Sequence, residues 1–132
     1  MSAPNAAKSP ASASSLVLVV DDDPVQRRQI AIYLGRLGVK TVEAEDGDGA
    51  IQVIRKIRPA VIIMDILMPR MDGIEVARAV AGIYDAKVIL MTGDPDSLYR
   101  ANVSKLKVFA VIEKPIPLQH LSRFVLQALD AD

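Results

Sequence analysis

The stretch Val61–Gly73, VIIMDILMPRMDG, carries four apolar residues, Val61, Ile62, Ile63 and Met64, into one acid, Asp65, and returns at once to apolar Ile66, Leu67 and Met68. The first four read as a strand buried on both faces. A carboxylate beside that much hydrocarbon costs free energy unless something requires it. A continuous apolar strand also belongs to a sheet covered on both sides, so the pattern around it decides the fold.

Working outward, apolar runs and amphipathic segments alternate. Leu16–Val20 (LVLVV) is a first strand, and Pro24 suits the first position of the helix after it, with Ile30, Leu34 and Leu37 as its stripe and Gly38 as its end. VKTVEA is a second strand, and Ala50, Val53, Ile54 and Ile57 stripe a second helix closed by Pro59. After the strand AVIIMD come a short helix in DGIEVARAVAG, the strand KVILMT, a helix with a weak stripe in DPDSLYRANVSKL, and the strand VFAVIEK. Leu118, Leu121, Val125 and Leu129 give the last helix its apolar face. Five strand–helix repeats predict an α/β fold, a parallel sheet with helices on both faces. Its site lies at the carboxyl ends of the strands.

Composition narrows the chemistry. The 132 residues suit one domain, 51% of them are hydrophobic, and the formal net charge is +0. Neutral balance gives no reason to expect nucleic acid or an anionic membrane as a direct partner. Without cysteine, thiolate catalysis and disulfides are excluded; with His120 the single histidine, a multi-histidine metal site is excluded too. No apolar run approaches the roughly 20 residues that span a bilayer. The segment MSAPNAAKSPASASS has no apolar core of a signal peptide. The expectation is a cytoplasmic protein with a disordered tail over residues 1–15 and one domain over residues 16–132.

The strand ends bear Asp21, Asp22 and Asp23, then Asp65, Thr92 and Lys114. One acid of the triplet suffices to cap a helix, which leaves two unexplained. Crowded carboxylates suit a cation, and oxygen ligands without histidine or cysteine favour Mg²⁺. An aspartate can also be a nucleophile that forms an aspartyl phosphate. A transferring phosphoryl group needs counter-charge and donors. A metal on Asp21 and Asp22, the Lys114 ammonium and the Thr92 hydroxyl would supply them, with Asp65 as acceptor.

LVLVVDDDPVQRR, VIIMDILMPRMDG, VILMTG and VIEKPI, in that order, resemble the motifs of response-regulator receiver domains of two-component signalling, from about Leu16 to the C-terminus. The resemblance implies a flavodoxin-like, doubly wound five-stranded sheet of order 2-1-3-4-5, as in single-domain chemotaxis regulators. It implies a histidine kinase or histidine phosphotransfer protein as phosphodonor, and a downstream protein bound through the fourth helix, fifth strand and last helix. Such a domain is no turnover enzyme; it catalyses only its own phosphorylation and dephosphorylation. Carried over by position, Asp65 is the acceptor and a metal ligand, Asp22 binds Mg²⁺ directly, Asp21 acts mainly through water, and the Leu67 carbonyl is a further ligand. Thr92 is the switch hydroxyl and Lys114 the active-site lysine. The resemblance and the tight turn after the fifth strand both imply a cis Lys114–Pro115 bond.

Three positions depart from the common pattern. Val111 stands where many receivers have a switch aromatic. Leu67 and Asp94 stand where side chains modulate access of attacking water. Two alternatives remain at this stage. Asp21-x-Asp23 fits a Mg-dependent haloacid-dehalogenase-like phosphatase, and VILMT with Lys114 fits it loosely, but no paired acids end a later strand after Lys114, and Asp65 with its Met-Pro-x-Met-Asp-Gly string is left unexplained. A pseudo-receiver that only binds a partner would leave the whole strand-end set unexplained.

Overall fold

The computed structural model describes residues 15–131, so most of the expected tail lies outside the described residues. Strands and helices alternate as β1 (Val17–Val20), α1 (Pro24–Arg36), β2 (Thr41–Ala44), α2 (Gly47–Ile57), β3 (Val61–Asp65), α3 (Gly73–Ala81), β4 (Lys87–Thr92), α4 (Pro95–Val103), β5 (Ala110–Glu113) and α5 (Leu118–Asp130). The sheet has five strands in the order β2-β1-β3-β4-β5, and every pair is parallel.

The period-two pleat sorts each central strand onto two cores. Leu18, Val20, Ile62, Met64, Val88 and Leu90 pack on one face against α2, α3 and α4 through Ile54, Ile74, Val80 and Ala101. Val17, Val19, Val61, Ile63, Ile89 and Met91 pack on the other against α1 and α5 through Ile30, Leu34, Leu121 and Val125. Both faces are covered, which is why β1 and β3 read as unbroken apolar runs.

Two stripe positions differ from expectation. Leu37 and Ile57 are exposed. Leu37 is the C-cap residue of α1, and Ile57 ends α2 just before Arg58 caps it in the left-handed conformation. At a helix end the chain is already turning away, so the last apolar residue of a stripe leaves the core. Gly38, at φ 85°, takes the left-handed turn beyond α1 that its identity predicts. α4, with the weakest stripe in the sequence, is nonetheless a helix and buries Ala101 and Ser97.

Candidate functional site

The carboxyl edge of the sheet is crowded with aspartates, and hydrogen bonding divides them into two sets. Asp23, Asp46, Asp72 and Asp94 are N-caps of α1, α2, α3 and α4, each accepting from backbone N–H groups of the first turn. Asp72 completes a reciprocal capping box with Glu75. These four have ordinary structural work. Asp21, Asp22 and Asp65 cap nothing, and they converge: one carboxylate oxygen from each lies within 4.8 Å of the others.

Asp21 and Asp65 are buried and Asp22 is exposed at the rim. Asp21 Oδ1 accepts the Asp23 N–H at 2.9 Å. Among the described residues, Asp21 Oδ2 is a buried oxygen without a hydrogen-bond partner. Burial raises the Asp21 pKa, and the neighbouring Asp65 and Asp22 charges add to it, against the Asp23 N–H and the Lys114 charge. An orphaned buried oxygen among three hard donors is a fit for a small divalent cation, whose charge would oppose that shift.

Lys114 approaches from the other side. Its Nζ donates to Asp65 Oδ2 at 3.0 Å and to Gln26 Oε1 at 3.3 Å. The Lys114–Pro115 bond is cis, as expected. Thr92 ends β4 beside Asp65, with Met91 as the residue opposite Asp65 in the ladder. Its hydroxyl is buried and accepts the Asp94 N–H at 3.1 Å. The structure thus brings together Asp21, Asp22, Asp65, Thr92 and Lys114 at one edge.

The three departing positions are placed as follows. Asp94 Oδ2 accepts from both Ser97 N (2.9 Å) and Ser97 Oγ (2.8 Å), so its carboxylate is engaged in the α4 cap. Leu67 is 51% exposed. Val111 is half-buried and packs against the core on the α2–α4 face. Gln26 and Arg27, both on α1, were not singled out from the sequence. Nothing local tells that Gln26 meets Lys114, or that Arg27 Nη1 donates to the Asp21 carbonyl at 2.7 Å.

A doubly wound parallel sheet whose chemistry gathers where the strand order reverses defines the flavodoxin-like α/β class. The family model of the response regulator receiver domain matches residues 17–126, and the chain belongs to that family. It is 36% identical over 107 residues to the response regulator MprA of Mycobacterium tuberculosis, covering 80% of this chain and 46% of that one. Its fold is similar to the signal receiver domain of a signal transduction histidine kinase from Syntrophus aciditrophicus, with a TM-score of 0.78, 30% identity and coverage of 88% and 90%. It is also similar to the BeF3-activated N-terminal receiver domain of Klebsiella pneumoniae RstA, with a TM-score of 0.79, 26% identity and coverage of 88% and 99%. The chain spans less than half the length of the curated relatives it matches.

Proposed function

We propose that this receiver domain takes a phosphoryl group from a histidine kinase or histidine phosphotransfer protein onto Asp65, with Mg²⁺, and that the charge so placed changes the binding of a downstream protein. The observation that carries this reading is the convergence of three acids without capping duties, one of them holding an orphaned oxygen, with the Lys114 ammonium on Asp65.

Chemically, an Asp65 carboxylate oxygen attacks phosphorus. The O–P bond forms as the P–N bond to the donor imidazole breaks, and its electron pair returns to the ring nitrogen. Lys114 pairs with a phosphoryl oxygen, and the Thr92 hydroxyl turns from the Asp94 N–H to donate to another. Asp22, Asp65 and the Leu67 carbonyl would hold the cation directly, with Asp21 mainly through water. When bound, Mg²⁺ supplies counter-charge to the phosphoryl oxygens. The phosphatase alternative loses support because Asp23, its second acid, is engaged as the α1 cap.

The partner-facing surface in this reading is α4, β5 and α5. In this reading the domain works in the cytoplasm beside its phosphodonors. Among the described residues no helix is long and apolar enough to cross a membrane. The packing of half-buried Val111 against the core favours a second reading, in which the domain drains phosphoryl groups and switches little.

The test is intact-mass measurement after incubation with a small acyl phosphate and Mg²⁺. One phosphoryl group is expected on the natural chain and none on Asp65→Asn. Equal labelling of the Asn variant rejects the assignment.

A further inference from the structure

Arg27 grips the acidic arm from outside the cluster. Its Nη1 donates to the Asp21 carbonyl at 2.7 Å, and its Nε donates to Glu43 Oε1 at 3.0 Å. Glu43 lies on β2 opposite Val19 of β1, and its other oxygen accepts from Arg28 at 2.7 Å. Burial disfavours the Glu43 carboxylate, but Arg28 and Arg27 outweigh it and hold its pKa below the ordinary value. Glu43 therefore stays ionised and meets the guanidinium charge.

This arrangement leaves Asp21 with one free atom. Its N–H donates to the Ala44 carbonyl at 3.2 Å, its carbonyl accepts from Arg27, and its Oδ1 accepts from Asp23. Among the described residues, only Oδ2 finds no partner. Arg27 reaches Asp21 through the backbone and not through its carboxylate. A glutamate on the neighbouring strand keeps it there, which the planar fork of arginine allows and a lysine ammonium does not.

We propose that Arg27 is the positioning residue of the cation-binding arm, its grip on the Asp21 carbonyl, braced by Glu43, fixing Asp21 and Asp22 in the orientation a divalent cation requires. The inference rests on reading Asp21, Asp22 and Asp65 as the Mg²⁺ site. Charge and positioning give opposite signs. Removing a nearby positive charge alone tightens cation binding, whereas removing a support of the ligand arm weakens it, on the scale of about tenfold or more for outer-shell partners.

The experiment is calorimetric titration of the full chain with Mg²⁺, beside thermal melting of each variant. Arg27→Met is expected to bind Mg²⁺ about tenfold more weakly, and Arg27→Lys to fall between it and the natural chain. A purely structural role lowers the melting temperature and leaves the affinity of the folded protein unchanged. Unchanged or tighter binding by folded Arg27→Met overturns the proposal. Should that variant not fold, the charge-conserving Arg27→Lys decides: weaker binding supports the positioning role, and binding equal to the natural chain overturns it. Absence of Mg²⁺ binding by the natural chain overturns the metal site itself, and the positioning role with it.

Discussion

Gly73 lies so close to Asp65 that a methyl group on it would fall 2.6 Å from the Asp65 carbonyl oxygen and 3.0 Å from Ile66 Cα. The Gly73 N–H also donates to the Ile66 carbonyl at 2.8 Å. The first residue of α3 is thus backbone against the end of β3, and any side chain there pushes on the strand that aims Asp65. Gly73→Ala is expected to destabilise the domain by about 1–3 kcal/mol, the usual scale of overpacking, despite the better helix propensity of alanine. Chemical denaturation measures it, and a variant as stable as the natural chain contradicts the close approach.

Asp22 and Asp23 should separate cleanly. Asp23 accepts from Val25 and Gln26 as the α1 cap, so Asp23→Ala is expected to cost about 1 kcal/mol of stability and to leave Mg²⁺ affinity nearly unchanged. Asp22 caps nothing and sits at the rim of the cluster, so Asp22→Ala should abolish Mg²⁺ binding with little loss of stability. Paired melting and titration experiments distinguish the two, and the reverse pattern would shift the metal site by one residue.

The buried Asp21 carboxylate gives a pH-dependent stability in the metal-free protein. Its pKa is raised, chiefly by burial. Above the raised value it is ionised both folded and unfolded, and the folded state bears the penalty. As pH falls through the raised value the penalty is relieved, and it is gone below the ordinary carboxylate range. Metal-free Asp21→Asn should therefore melt above the natural chain at neutral pH, with the difference closing on acidification. A neutral-pH melt below that of the natural chain argues against an unpaired, penalised carboxylate.

Tyr84 anchors the opposite edge of the sheet, its hydroxyl donating to the Pro59 carbonyl and the Arg58 guanidinium lying 5.7 Å from its ring centre. Burial pushes its pKa up to about 12, against the opposing pull of Arg58. Spectrophotometric titration should show a tyrosine ionising at about 12 that Tyr84→Phe removes. Because the folded state resists this ionisation, stability is full below the unfolded phenol range and falls as pH rises through it. Loss of the hydroxyl should cost about 1 kcal/mol at neutral pH.

Phosphorylation adds about −1.5 to −2 charge, and Thr92 and Lys114 are the groups that can follow it. Val111, half-buried against the core and restricted at χ1, has no large exposed-to-buried move to make. The expected response lies in the α4 segment and β5. Tyr99, 68% exposed, is a convenient reporter. Amide chemical shifts with and without beryllofluoride should change across residues 95–112. Changes confined to the Asp65 pocket favour the phosphoryl-draining reading.

The sequence by itself determined the order and kind of every element described, because apolar runs and helical stripes are local patterns. It also determined which strand ends carry polar groups, and a parallel sheet necessarily puts those ends on one edge. It did not determine what each aspartate does. Asp23 and Asp94 became helix caps, while Asp65 met Lys114 and Asp21 kept one oxygen unpartnered among the described residues, since a carboxylate settles on whichever donors the fold brings nearest. The Lys114–Gln26 contact joins residues 88 positions apart, and the Arg27–Glu43 pair joins α1 to β2. Nor could a stripe reveal that Leu37 and Ile57 leave the core where their helices end. Hydrophobic periodicity is written residue by residue, but hydrogen bonds between side chains are allotted only once the strands lie in register, and that allotment is decided by the tertiary structure.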